Sequence, residues 1–272
     1  MRIAYAGNDW QRMAGSSKLL PANGTNKQQN MQTRLVTIML AVAVTLSGWV
    51  AWGQEPGGPP RRRGGPPGGR GPGGRSEMFS SSLLPKSDRE KSVLAVLEDM
   101  NRTQRRGSMS VPMDDGRILR MLTEATGAKN VVEIGTSVGY SAIWFCLALE
   151  TTGGKLTTFE IDEGRAAQAR DNFKRAGVEK LVTLVQGDAH AEVKRLKDPI
   201  DILFLDADKE GYLDYLNKLL PLVKPGGLVI AHNMNTGQAD PNYVKAITGN
   251  PELETLFLNL ERSGIGVTMK KR

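Results

Sequence analysis

The run LFLDADKEGY, Leu203 to Tyr212, ends an apolar stretch in Asp206, Asp208 and Lys209. Carboxylates in such a position can hold a hard divalent cation or cap the helix that follows. A bound cation acidifies a hydroxyl that coordinates it, and a nearby lysine with a suppressed pKa can take the proton. Asp208 lies closer to the next helical stretch and is the better cap, which leaves Asp206 for a site. A second apolar run, GLVIAH, ends in His232 and is followed by Asn233. His232 reads either as a base or nitrogen ligand, or as a satisfied structural histidine.

Three more loops carry binding chemistry. VVEIGTSVGYS leads from a β-branched stretch through Gly135 and Gly139 into a helix. Glycines there let the backbone turn tightly and approach a ligand, and the helix start offers free amides. The Gly-x-x-x-Gly spacing differs from the Gly-x-Gly-x-x-Gly of dinucleotide binders, which disfavours a nicotinamide dehydrogenase. In TTFEID, Glu160 closes the next strand about 20 residues beyond Gly139, where an acid accepts hydrogen bonds from a ribose diol. Asp162 is better placed to cap the helix after it. QGDAH sets Asp188 after a third strand, where an adenine amino group can be read. His190 reads as solvated, and Cys146, within AIWFCLALE, as core.

These loops need a rigid frame, and the pattern supplies one. SDREKSVLAVLEDM opens with Ser87 and Glu90 in a capping-box arrangement, and DDGRILRMLTEATG closes on Gly127. Then strand patterns (VVEIG, KLTTFEI, LVTLVQG, IDILFLD, GLVIAH) alternate with helical ones (YSAIWFCLALE, EGRAAQARDNFKRAG, EVKRLK, YLDYLNKLLPLV). That rhythm predicts an α/β domain with a doubly wound, mostly parallel sheet flanked by helices. Leu256 to Lys270 can add an antiparallel edge. In such sheets ligands bind at the carboxyl ends of the strands, where all the loops above converge.

The 272 residues carry a formal net charge of +7, but much of the excess sits in one Pro/Gly/Arg-rich segment, Glu55 to Arg75. That segment lacks interleaved aromatics and reads as an extended tether, so no nucleic-acid partner is expected. One cysteine excludes an internal disulfide, and two histidines exclude a His-rich metal site. Leu35 to Trp52 is free of charge and about as long as a membrane-spanning helix needs. It reads as an anchor, held cytoplasm-side by the arginines after it, or as an export signal cleaved near Gly53. The organisation expected is therefore 1–33 disordered or lying upstream of the true start (Met31 being a natural one), 34–53 a hydrophobic signal or anchor, 54–76 linker and 77–272 folded domain.

VVEIGTSVGYSA, TFEID, QGDA, FLDADKEGYLDYL, LLPLVKPGGLVIAHN and the terminal GVTMKKR together resemble the class I methyltransferases that use S-adenosylmethionine. The likeness is to the small metal-dependent O-methyltransferases related to catechol and caffeoyl-CoA enzymes, and it covers roughly Met109 to Lys270. The resemblance implies a Rossmann-like fold and methyl transfer to a hydroxyl of a small acceptor, with S-adenosylmethionine and a divalent cation as cofactors. Glu133, Gly135, Thr136, Ser137, Gly139, Tyr140 and Ser141 would surround the methionine part of the donor. Glu160 with Ile161 would take the ribose and Asp188 with Ala189 the adenine, Asp206 lying beside them. MSVPMDDGRILRML resembles the lead-in that closes over cofactor and substrate. Asp206, His232 and Asn233 would be metal ligands and Lys209 the base. Where the family pattern has Asp-Asn, this chain has His232-Asn233. That change favours a metal softer than Mg²⁺, such as Mn²⁺ or Zn²⁺, or a metal-free site with His232 as a base, or a silent cofactor-binding module. A homodimer is one assembly open to such a domain.

Overall fold

The computed structural model describes residues 81–272, except 106, 108 and 260–262. The hydrophobic segment 34–53 and the linker 54–76 lie outside the described residues. Among the described residues no helix is long and apolar enough to cross a membrane.

Among the described residues seven strands form one sheet: β1 (Asn130–Ile134), β2 (Lys155–Glu160), β3 (Val182–Gln186), β4 (Ile200–Leu205), β5 (Val223–His232), β6 (Leu253–Leu258) and β7 (Ile265–Lys270). Their order is β3-β2-β1-β4-β5-β7-β6. β1 to β5 run parallel, and β7 pairs antiparallel with both β5 and β6. The chain winds outward from β1 to β3, then returns to place β4 on the other side of β1. That reversal is the topological switch point.

Side chains alternate across the central strands and are apolar on both faces, as a sheet covered on both sides requires. Val131, Ile202, Phe204, Leu228 and Ile230 point into one core, with α1 (Asp88–Thr103), α2 (Met113–Thr126), α3 (Tyr140–Thr152) and α4 (Glu163–Ala176). Val132, Ile134, Leu203, Leu205 and Val229 point into the other, against α6 (Tyr212–Leu219) and α7 (Pro241–Gly249). The short α5 (Ala189–Glu192) follows β3.

Local chemistry sets the ends of these elements. Ser87, Asp162 and Asp240 cap α1, α4 and α7 through their side chains, and Gly127 and Gly177 end α2 and α4 in the left-handed region. The helix expected over 212–223 stops at Leu219, because Pro221 has no amide to continue it, and β5 starts earlier than expected, at Val223. Gly116 lets α2 lie directly on α3: a Cβ there would sit 2.3 Å from the Trp144 ring. This close packing brings the start of α2 over the carboxyl ends of β4 and β5.

Candidate active site

The carboxyl ends of β1 to β5 open on a cavity of about 840 Å³. Gly135, Ser137, Glu160, Ile161, Asp188, Ala189, Asp206, Lys209, His232 and Asn233 all line it. Glu133, Thr136, Gly139, Tyr140 and Ser141, expected around the methionine part of the donor, are not among its lining residues. Glu133 is fully buried behind the wall, where Ser141 Oγ and Thr158 Oγ1 donate to its two oxygens at 2.6 Å. Burial pushes its pKa up to about 8, against those two hydrogen bonds. Thr136 Oγ1 lies 2.5 Å from Thr158 Oγ1 and extends the buried chain. Gly139 serves the turn, with φ +86 and no room for a Cβ against Phe173. These residues shape the loop rather than face the cavity.

The loop after β1 is drawn tight against β4. Gly135 has φ +99, and a Cβ on it would lie 2.3 Å from the Asp206 carbonyl oxygen. Ser137 sits at φ +49, a left-handed conformation unusual for serine, and its amide donates to Glu160 Oε2 at 2.6 Å. The other Glu160 oxygen accepts from the Asp162 amide at 2.9 Å. Each oxygen keeps a second lone pair, as binding a diol requires. Ser137 Oγ is buried and has no protein partner, a hydroxyl left for a ligand. Asp188 caps α5 by accepting from the His190 amide at 2.9 Å, which leaves its second oxygen free of that bond.

The acid–base cluster lies at the ends of β4 and β5. Lys209 Nζ donates to Asp206 Oδ1 at 3.1 Å and to Tyr212 Oη at 2.8 Å. His232 Nδ1 meets the same Asp206 oxygen at 3.2 Å, while Nε2 lies 3.0 Å from Asp115 Oδ2 and 3.1 Å from Ser263 Oγ. Burial works to lower the pKa of His232, but the bonds to Asp115 and Asp206 prevail and raise it to about 9. Burial likewise works to raise that of Asp206, yet His232 and Lys209 hold it below the usual carboxylate range. Asn233, at φ +59, turns the chain away from β5 at the cavity wall.

This arrangement does not fit the expected metal centre. Both nitrogens of His232 are committed to carboxylates, so neither has a lone pair to offer a cation. Asp206 and the Asn233 amide are left as the donors of the expected set. Among the described residues no group of three His, Cys, Asp or Glu side chains is arranged to hold a metal. Two further expectations also change. Asp208 does not cap with its side chain: it accepts from Tyr215 Oη at 2.9 Å and lies 3.3 Å from His190 Nε2. His190 is not merely solvated. It stacks on Tyr215, with ring centroids 4.3 Å apart, and its Nδ1 meets Asp214 at 2.5 Å. Sequence reasoning passed over Asp115 and Ser263, whose partners are remote in the chain, and Asp214, which meets both His190 and the neighbouring Lys218.

Residues 85–245 match a family model described as O-methyltransferase. The chain belongs to the O-methyltransferase family. Among its relatives is a catechol O-methyltransferase of Niastella koreensis, 38% identical over 47% of this chain and 59% of that protein. The first curated relatives are matched over 55–64% of their own length. Among solved structures, this methyltransferase-family chain is similar to the O-methyltransferase from Bacillus cereus in complex with SAH. The identity is 28% and the TM-score 0.57, over 70% of this chain and 93% of that one. It is likewise similar to the O-methyltransferase TomG from Streptomyces achromogenes, solved with SAM: 25% identity, TM-score 0.59, and the same two coverages.

Proposed function

We propose that this chain transfers a methyl group from S-adenosylmethionine to a hydroxyl of a small aromatic acceptor, catechol-like or phenylpropanoid-like. The observation that carries the reading is the meeting, in one cavity, of the Glu160 carboxylate, the unpartnered Ser137 hydroxyl and the Asp206–Lys209 pair. The relatives solved with SAH and SAM support the donor, and the relative named for catechol supports the acceptor class. Glu160 would hold the ribose diol, Ser137 the donor's methionine end, and Asp188 the adenine amino group. Ile161, 72% exposed, and Ala189 would pack on the adenine faces.

S-adenosylmethionine, when bound, supplies a methyl carbon on a sulfonium, and the C–S electron pair leaves with sulfur as a neutral thioether. Lys209 Nζ, entering the step as the neutral amine, takes the proton of the acceptor hydroxyl as the acceptor oxygen bonds to that carbon. Asp206, 3.1 Å away, and Tyr212 Oη, 2.8 Å away, then hold the ammonium so formed. His232 fixes Asp206 in place, and the remainder of the rate is positioning of oxygen, carbon and sulfur in line. Incubating the full chain with S-adenosylmethionine and a catechol panel, with products read by mass spectrometry, tests this. A product heavier by one methylene unit is expected, and no product from any catechol or hydroxycinnamate would count against the acceptor class.

From the sequence of residues 34–53 and the arginines after it, we also propose that the domain is anchored and faces the cytoplasm, where the donor is made. Digestion of the domain by protease added to intact cells would contradict that placement.

A further inference from the structure

The cluster at the ends of β4 and β5 is assembled from segments far apart in the chain: Asp115 from α2, Asp206 after β4, His232 from β5 and Ser263 before β7. It is largely buried at the edge of the cavity, the side chains of His232 and Asp115 being 6% and 2% exposed. An imidazole that touches a carboxylate through each nitrogen carries a proton on each and has no lone pair for a metal. Asp206 Oδ1 is spent as well, on His232 Nδ1 and Lys209 Nζ.

A divalent ion between neighbouring carboxylates neutralises their charge and fixes their orientation. The imidazole of His232 does both here. It lies between Asp115 and Asp206, bonded to each, and Ser263 Oγ completes its surroundings. A hydrated cation would have to break this buried ion pair on entry, and Mg²⁺ in particular gives up its waters reluctantly. We infer that His232, clamped between Asp115 and Asp206, takes the structural place of a divalent cation, so that methyl transfer by this chain runs without added metal. The inference rests on the methyl-transfer reading above, but its test can be read separately.

The chelator-treated full chain is titrated calorimetrically with Mg²⁺ and with Mn²⁺, and in a separate cell with S-adenosylhomocysteine. Product formation is compared in EDTA and in each metal. No metal binding below about millimolar, and turnover in EDTA within about twofold of that with metal, is expected. One Mn²⁺ or Mg²⁺ bound in the micromolar range overturns the inference. So does a fall in turnover of about tenfold or more on chelation that metal restores. His232→Asp, which puts a carboxylate back beside Asn233, is expected to gain a melting temperature that rises with Mn²⁺; a folded His232→Asp chain indifferent to metal contradicts the replacement. If that variant does not fold, the wild-type titrations decide alone. Absence of S-adenosylhomocysteine binding would sink the methyl-transfer reading and leave the metal result intact.

Discussion

Replacing Gly135 by alanine sets a methyl carbon 2.3 Å from the Asp206 carbonyl oxygen, 2.8 Å from its carbonyl carbon and 3.1 Å from the Ala207 amide. All three atoms belong to backbone, and that backbone is pinned. The Asp206 amide donates to Ile134 O at 2.9 Å, and the Gly135 amide donates to Phe159 O at 3.1 Å. No side chain can swing away to relieve the overlap. The φ of +99 adds strain for any residue with a Cβ. Strain of this kind costs about 1–3 kcal/mol and overpacking about 1–3 kcal/mol, so the sum is roughly 2–6 kcal/mol. For a domain of this size that corresponds to a fall in melting temperature of about 5–20 °C. Part of the strain can instead be released by moving the loop off β4, which would displace Ser137 and Asp206 from the cavity. Scanning fluorimetry and chemical denaturation read the first effect, and titration with S-adenosylhomocysteine reads the second. A Gly135→Ala chain that melts within about 2 °C of wild type and binds with unchanged affinity would refute the reasoning, because nothing else accommodates the Cβ.

Three more outcomes follow from the same geometry. Glu133 has its pKa raised from 4.5 to about 8, so the stability linked to its proton is full below 4.5 and is lost as pH rises through 8. Glu133→Gln should therefore gain on wild type by a few kcal/mol between about pH 6 and 9. Parallel melting profiles over that range would show that Glu133 titrates normally. His232 has its pKa raised from 6.5 to about 9, so its contribution is present below 6.5 and fades as pH rises through 9. Asp115→Asn should cost about 1–3 kcal/mol at pH 6 and much less at pH 10, by denaturant titration at both; a difference independent of pH would argue against the ion pair. Lys209→Gln should lower turnover by about 10²–10⁴-fold while S-adenosylhomocysteine affinity stays within about twofold, and retained turnover would remove Lys209 from the chemistry.

The frame was legible because its signals are local. β4 is apolar on both faces from Ile202 to Leu205, and glycines or capping carboxylates punctuate the helices, Asp162 among them. The Gly135 loop and Glu160 were legible for the same reason, since strand ends in such a sheet face one rim. The cluster around His232 was legible only in part. Asp115 stands 117 positions before it and, from sequence, reads as an acid in a helix's first turn. The packing of its helix on Trp144, close at Gly116, carries it to β5. The surroundings of the expected metal ligands were hidden on the same ground: one residue type, His232, suggested a nitrogen ligand, while the partners that meet both nitrogens come from elsewhere in the chain. Asp208 likewise looked like a cap until Tyr215, one helix face away, and His190 claimed its oxygens. Local rules read the loops well, but they do not reveal which side chain a distant segment will bring.

On the proposed function, the cavity at the sheet's carboxyl edge binds the methyl donor through Glu160. Calorimetric titration of S-adenosylhomocysteine into the full chain, beside the Glu160→Gln variant, tests it directly. One site in the micromolar range is predicted for wild type, weakened about 10–100-fold in the variant as a charge-assisted bond is lost. No heat at high micromolar ligand, or equal affinity in the two proteins, would contradict it.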